Sequence, residues 1–254
     1  MKNKYIIITI LILILILISS LGYYVYKWEN RKPVFEVHFF SLNRGRAIFI
    51  RTPENMTILV GGGQNSDTIR ELTKVMPFYS KKIDYIFIPS AKPAQIGGFI
   101  EIVDRYGVGE VVLSKIHATS TVLSKLLNNI SNKKIHIREV EKGDELDMGG
   151  LKVEVLFPYE DFKFNKTSLP ELALGIGYKD TTVFLLGNIS KTIQKNIAKS
   201  LIVNSKENIV EYYNSGIESK VSKDLVEKIK PRYMFTTKEK PTSWISDGLE
   251  WKKI

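Results

Sequence analysis

Cysteine is absent from the 254 residues, so disulfides, thiolate metal ligands and a cysteine nucleophile are all excluded. Histidine is nearly absent. Only His38, His117 and His136 occur, too few for a two-metal centre built mainly from imidazoles. No dense Lys/Arg block is interleaved with aromatic residues, so the usual footprint of a base-stacking surface is missing. The run Gly61-Gly62-Gly63 superficially resembles a phosphate cradle but lacks the G-x-x-x-x-G-K-S/T frame. No internal repeat is visible, and no low-complexity tract apart from an N-terminal apolar run.

What is present has ordinary globular composition, 44% hydrophobic and 25% charged. The formal net charge is +10, and the chain is rich in Ile, Lys and Asn together, a bias that needs no ligand to explain it. A basic surface also suits nucleic acid or anionic lipid. Residues 5–26 form an almost unbroken apolar run, long enough to cross a bilayer. Tyr23, Tyr24, Tyr26 and Trp28 cluster at its far end, as aromatics do at a membrane interface. A cleaved signal peptide is the competing reading, but Ser19-Ser20-Leu21-Gly22 is a poor cleavage site. The expectation is a tail at 1–4, an uncleaved single-pass cell-membrane anchor at 5–26, a linker at 27–33 and one domain at 34–254. Lysines and arginines flank both ends of the run, and the short tail favours an extracytoplasmic domain.

Within 34–254, Phe35, Val37 and Phe39 alternate on one face of a strand, and 47–51 and 56–60 continue as strands. A helix is predicted over Asp67–Met76, capped by Ser66 or Asp67, then a buried strand at 83–88 and a helix from Gly97 to Tyr106. Strand, helix and strand follow at 108–113, 119–129 and 135–140. The second half restarts with strands to Pro158, a hairpin at 172–186 turning at Lys179-Asp180, helices at 189–200 and 222–229, and a strand at 233–236. Strand-rich and helix-bearing segments alternate in both halves. The predicted class is α/β, a four-layer αββα sandwich behind one N-terminal transmembrane helix.

One apolar strand runs into Pro89-Ser90-Ala91-Lys92-Pro93-Ala94-Gln95-Ile96-Gly97-Gly98. This layout resembles the T-H-x-D-x-D-H-x-G-G loop of the metallo-β-lactamase superfamily. Phe40-Ser41-Leu42-Asn43-Arg44-Gly45-Arg46-Ala47 falls where the metallo-β-lactamase domain of competence DNA-uptake (ComEC-like) proteins reads L-D-V-G-Q-G-D-A. Leu59-Val60-Gly61-Gly62-Gly63 parallels L-I-D-x-G, and Leu185-Leu186-Gly187-Asn188 parallels L-L-T-G-D. Gly143-Asp144, Val155–Pro158 and Asn165–Ser168 also match in order, and Asn214-Ser215-Gly216-Ile217-Glu218-Ser219 replaces H-H-G-S-x-x-S.

The resemblance implies the superfamily's fold and, in the same breath, the loss of its metal ligands. Family enzymes hold zinc-like ions that generate hydroxide near neutral pH. Here Ser90, Gln95, Asn214 and Ser215 stand where the resemblance places histidines, and Gly61, Lys92, Ala94 and Asn188 where it places aspartates. None of the three histidines falls at a ligand position. Arg44, Arg46 and Lys92 are expected to face one cleft and to hold an anion there. The resulting expectation is a pseudoenzyme: a membrane-anchored binding or scaffold subunit with no catalytic residues and no cofactor, linked to DNA uptake, with a protein partner or nucleic acid as its ligand. The alternatives are a hydrolase, phosphodiesterase or nuclease-like, binding zinc or manganese through non-standard ligands, and a nucleic-acid-binding module.

Overall fold

From Val34 onward, short runs with apolar residues at every second position form strands, each burying one or both faces. The computed structural model describes residues 2–29, 33–115, 120–160, 171–212, 221–236 and 241–254. The chain divides into two units, Met1–Pro33 and Val34–Ile254.

The first unit is a single helix, α1 (Lys2–Glu29). Its span Lys4–Lys27 is long and apolar enough to cross a membrane by length and composition. Its internal hydroxyls bond back to helix carbonyls, Thr9 Oγ1 to the Tyr5 oxygen at 2.9 Å and Ser20 Oγ to the Leu17 oxygen at 2.8 Å. Neither hydroxyl therefore needs a partner outside the helix.

The second unit is a sandwich of two mixed sheets. In the first, β1 (Phe35–Phe40), β2 (Ala47–Arg51) and β3 (Thr57–Val60) form an antiparallel meander. The parallel strands β4 (Lys82–Ile88), β5 (Gly107–Ser114) and β6 (His136–Val140) follow, connected by α2 (Asp67–Val75), α3 (Pro93–Arg105) and α4 (Thr121–Asn132). Parallel neighbours need such crossovers, because a tight turn only reverses the chain. The second sheet begins with antiparallel β7 (Glu145–Met148), β8 (Leu151–Phe157), β9 (Ala173–Tyr178) and β10 (Thr181–Leu185). It ends with parallel β11 (Glu207–Tyr212) and β12 (Tyr233–Thr236), reached through α5 (Lys191–Ser200) and α6 (Lys223–Ile229). The chain then returns to the first sheet, where β13 (Thr242–Ser246) pairs with β1 and β14 (Trp251–Lys253) forms the edge.

Alternation sorts the core into layers. Phe35, Val37, Ile48 and Ile50 meet Val153, Leu174, Val183 and Ile209 between the sheets. Phe49 and Leu59 turn outward against Leu72, Phe99 and Leu126 of α2, α3 and α4. Phe184 and Val210 turn outward against Ile197, Leu225 and Ile229 of α5 and α6. Serine hydroxyls cap three of the helices: Ser120, Ser190 and Ser222 accept from the amides of Leu123, Ile193 and Leu225.

Several sequence expectations need correction. Helix α3 begins at Pro93 rather than Gly97, because a proline with fixed φ and no N–H fits a first helical turn. Ser66 makes no side-chain cap on α2; the Asn65 side-chain oxygen accepts from the Asp67 amide instead. Strands β11, β13 and β14 went unpredicted, since their charged or hydroxyl-bearing ends leave only brief apolar cores. His38 lies in its strand as expected but is buried, with Nδ1 2.8 Å from Ser243 Oγ.

The β3–β4 pairing is fastened by a carboxylate. Asp84 Oδ2 accepts from the Thr57 amide at 2.9 Å and the Thr57 hydroxyl at 3.0 Å, while Oδ1 meets Lys82 Nζ at 2.6 Å. Burial works against the charged form, but these hydrogen bonds and the Lys82 charge outweigh it and hold the carboxyl below its ordinary 3.8. The stabilisation from this shift is complete above pH 3.8 and is lost as pH falls through the depressed folded value. Asp84→Asn is expected to cost about 1–3 kcal/mol at neutral pH, with the gap to wild type closing in acid. Urea unfolding across pH checks this, and a gap that stays constant would reject the role given to the charge.

Candidate functional site

Among the described residues, the segments 44–46, 61–63, 89–95 and 187–188 that the resemblance marks come together at one end of the sandwich. Alternation then decides which side chains point inward. Arg46 precedes β2 in phase with Ile48 and Ile50, and Glu211 follows Ile209 in phase on β11. Both therefore enter the space between the sheets. Arg46 Nη1 donates to Glu211 Oε2 at 2.8 Å and to Oε1 at 3.2 Å, and both side chains are 0% exposed. This ion pair joins the two sheets at the end of their shared core.

A second carboxylate lies beside it. Glu171, just ahead of β9, has a buried side chain whose Oε1 accepts from Lys92 Nζ and from Gln95 Nε2, each at 3.1 Å. Its Oε2 accepts the Asn188 amide at 2.6 Å. The Leu172 amide donates to the Pro89 carbonyl at 2.8 Å, which ties Glu171 to the loop after β4. A Cβ at Gly187 would lie 2.5 Å from Glu171 Oε2 and 3.1 Å from Arg46 Nη1, so this glycine lets the two charged groups close over the backbone. Burial pushes the Glu211 carboxyl above its ordinary 4.5, the Arg46 guanidinium pulls it back, and Glu171 adds to the rise.

The positions to which the resemblance assigns metal ligands divide by what their residues do. Lys92 and Gln95 converge on Glu171 through their side chains, and Asn188 through its amide. Ser90 is buried and its hydroxyl accepts the Lys92 amide at 3.3 Å, bracing the turn. Ala94 sits in the first turn of α3 and offers no polar side chain. Gly61 has φ +78, and a Cβ there would meet the Arg46 carbonyl at 2.6 Å. Asn214 and Ser215 lie outside the described residues, as do His117 and the stretch Asn165–Ser168.

The anion-binding expectation changes, and the glycine run acts as a structural link. The amides of Gly61, Gly62 and Gly63 donate to the carbonyls of Phe87, Gln95 and Arg46 at 3.1, 2.7 and 3.2 Å. They are consumed in tying the end of β3 to β4, to the first turn of α3 and to Arg46 ahead of β2, so none is free to cradle a phosphate. Nor do Arg44, Arg46 and Lys92 form one open cationic cleft. Arg44 is exposed, Arg46 is fully buried on Glu211, and the half-exposed Lys92 is bound to Glu171.

The residues present do not fit a metal ion. Among the described residues, no group of three or more His, Cys, Asp or Glu is arranged to hold one. The two carboxylates at the site are already occupied by a guanidinium and an ammonium, whose charges oppose a further cation. His38 contacts Glu36 at 3.5 Å on the opposite face of β1, and His136 is exposed beside Glu110. Three buried atoms of the cluster have no partner among the described residues: Arg46 Nε, Arg46 Nη2 and Gln95 Oε1. The sequence reading missed Glu171 and Glu211. For Glu211 a signal existed, a carboxylate in phase with an inward isoleucine.

No protein-family model matches the sequence, and no curated protein matches it. Solved structures do. The metallo-beta-lactamase fold protein YhfI from Bacillus subtilis superposes with TM-score 0.56 at 10% identity, covering 81% of this chain and 86% of that one. CmlA, a diiron beta-hydroxylase from Streptomyces venezuelae, superposes with TM-score 0.51 at 16% identity over 80% of this chain. A CmlA mutant gives 0.54 at 15% identity over 79%. The chain spans 44% of CmlA and 45% of its mutant. At these identities the likeness is one of fold, and the fold is that of the metallo-β-lactamases.

Because the Arg46–Glu211 pair is fully buried, removing one partner strands the other. Arg46→Met or Glu211→Leu alone is expected to cost about 3–5 kcal/mol, and the double variant less than either. Denaturant unfolding of the four proteins measures the coupling. Strictly additive losses would show that the two side chains do not act as a unit.

Proposed function

We propose that this metallo-β-lactamase-fold protein is a catalytically inactive, membrane-anchored binding or scaffold subunit. The observation that carries the proposal is the Arg46 guanidinium, buried against Glu211 and beside Glu171 at the loops to which the resemblance assigns metal. Its positive charge stands beside both carboxylates that a metal ion would need there. Hydrolysis in this fold needs a metal-bound hydroxide, and the loops carry Ser90, Lys92, Gln95 and Asn188 in place of its ligands. A zinc- or manganese-dependent phosphodiesterase with other ligands is the rival reading, and the charge balance of the cluster opposes it.

The membrane part of the proposal rests on α1, whose apolar span carries aromatic residues near its C-terminal end. In this reading residues 5–26 remain as a single-pass anchor and 34–254 act at the extracytoplasmic face. DNA handling is the ligand class to which the competence-like motif order points. Exposed Arg44 is the side chain of the expected anion-binding set that remains open to such a ligand.

Elemental analysis of the full chain, purified in detergent without chelator and reloaded with zinc or manganese, tests the central claim. The expected result is far less than one ion per chain, with a thermal unfolding midpoint unchanged by either metal. Tightly held stoichiometric metal accompanied by phosphodiester hydrolysis would falsify the proposal.

A further inference from the structure

Helix α5 reads KTIQKNIAKS and buries Gln194, Ile197 and Ala198. Lys191, Lys195 and Lys199 recur every fourth residue, so all three lie along one exposed line. At 1.5 Å rise per residue the line is about 12 Å long.

Like charges crowd along this helix, and of the three lysines Lys199, in the last turn, suits the helix dipole. Lys191 opens the helix at its positive end, and no acidic residue occupies the first turn. Lys191 with Lys195, and Lys195 with Lys199, are like-charge pairs at the spacing where opposite charges stabilise a helix. None of the three has an ion-pair partner among the described residues. Some lysines elsewhere do hold a carboxylate, among them Lys82, Lys115, Lys152, Lys206 and Lys252. Lys195 and Lys199 also line an open groove of about 580 Å³ between α5 and α6, to which Lys228 contributes a further cation. Asp224 and Glu227 line the same groove, and neither forms an ion pair with the α5 lysines.

We propose that the outer line of α5 binds the anionic phosphate headgroups of a lipid bilayer, an inference that rests on the membrane-anchor reading above. The composition favours lipid over nucleic acid. The helix carries no arginine for bidentate phosphate contacts and no aromatic residue on which a base could stack. Three ammonium groups on flexible stems suit a diffuse negative surface instead. That surface would relieve both like-charge pairs and the clash of Lys191 with the helix dipole.

The test compares full-length protein in nanodiscs of phosphatidylcholine with the same protein in discs containing phosphatidylglycerol. Lysine acetylation is read site by site by mass spectrometry, with Lys82 and Lys252 as references. Labelling of Lys191, Lys195 and Lys199 should fall about fivefold in the anionic discs. It should recover near 1 M salt, where the screening length is about 3 Å. Equal labelling in the two discs overturns the proposal. So does protection by a single-stranded oligonucleotide in neutral discs without protection by phosphatidylglycerol, which would assign the line to nucleic acid. Carbonate extraction of the same samples reads the anchor separately, since release of the chain would sink the anchor while leaving the labelling comparison intact.

Discussion

The buried contact between Arg46 and Glu211 constrains everything around it. A guanidinium at 0% exposure must be matched by negative charge, and Glu211 reaches it from the opposite sheet. Yet Glu211 is not alone, because Glu171 closes in from the same side of Gly187. Two carboxylates facing one guanidinium leave excess negative charge in a dry space. Lys92 and Gln95 answer it by donating to Glu171. The four charged groups therefore form one neutral set, and changing any member unbalances the others.

The same set depends on backbone contacts that only glycine permits. Gly61, at φ +78, packs directly on the Arg46 carbonyl, and the Gly62 amide holds the Gln95 carbonyl. The first turn of α3 is thereby fixed against the end of β3, and Gln95 is carried to Glu171. The glycines stand where the resemblance places the fold's glycine frame, without acidic or imidazole groups beside them in the chain. Their work here is positional, bringing backbone close to backbone, and that work requires no metal.

The sequence made the layers legible because burial shows in the pattern: one buried face gives the alternation of β8, and two give the nearly continuous apolar runs of β2 and the end of β4. It also showed Ser90, Lys92, Gln95 and Asn188 at the positions where the resemblance places metal ligands. The contacts gathered around those positions were not legible. Glu171 and Glu211 stand 40 residues apart in the chain, and only tertiary folding brings either to Arg46, which precedes both. Arg46 itself reads as a loop cation until its phase with Ile48 is taken seriously. His38 shows the same limit: alternation placed it off the inter-sheet face, but its burial comes from the contacts it makes there with Ser243 and Glu36.

An internal arginine also sets this site against a metal ion. A histidine or carboxylate can give up or take a proton and so be emptied by a shift in pH. A guanidinium cannot, and its planar group already engages the Glu211 carboxylate. To admit a metal ion, the chain would have to lose Arg46, free Glu171 from Lys92, and regain imidazoles at positions now held by Ser90 and Gln95. Losing Arg46 takes the guanidinium from the buried Glu211, and freeing Lys92 takes the ammonium from the buried Glu171. Either change costs stability before any metal ion could repay it.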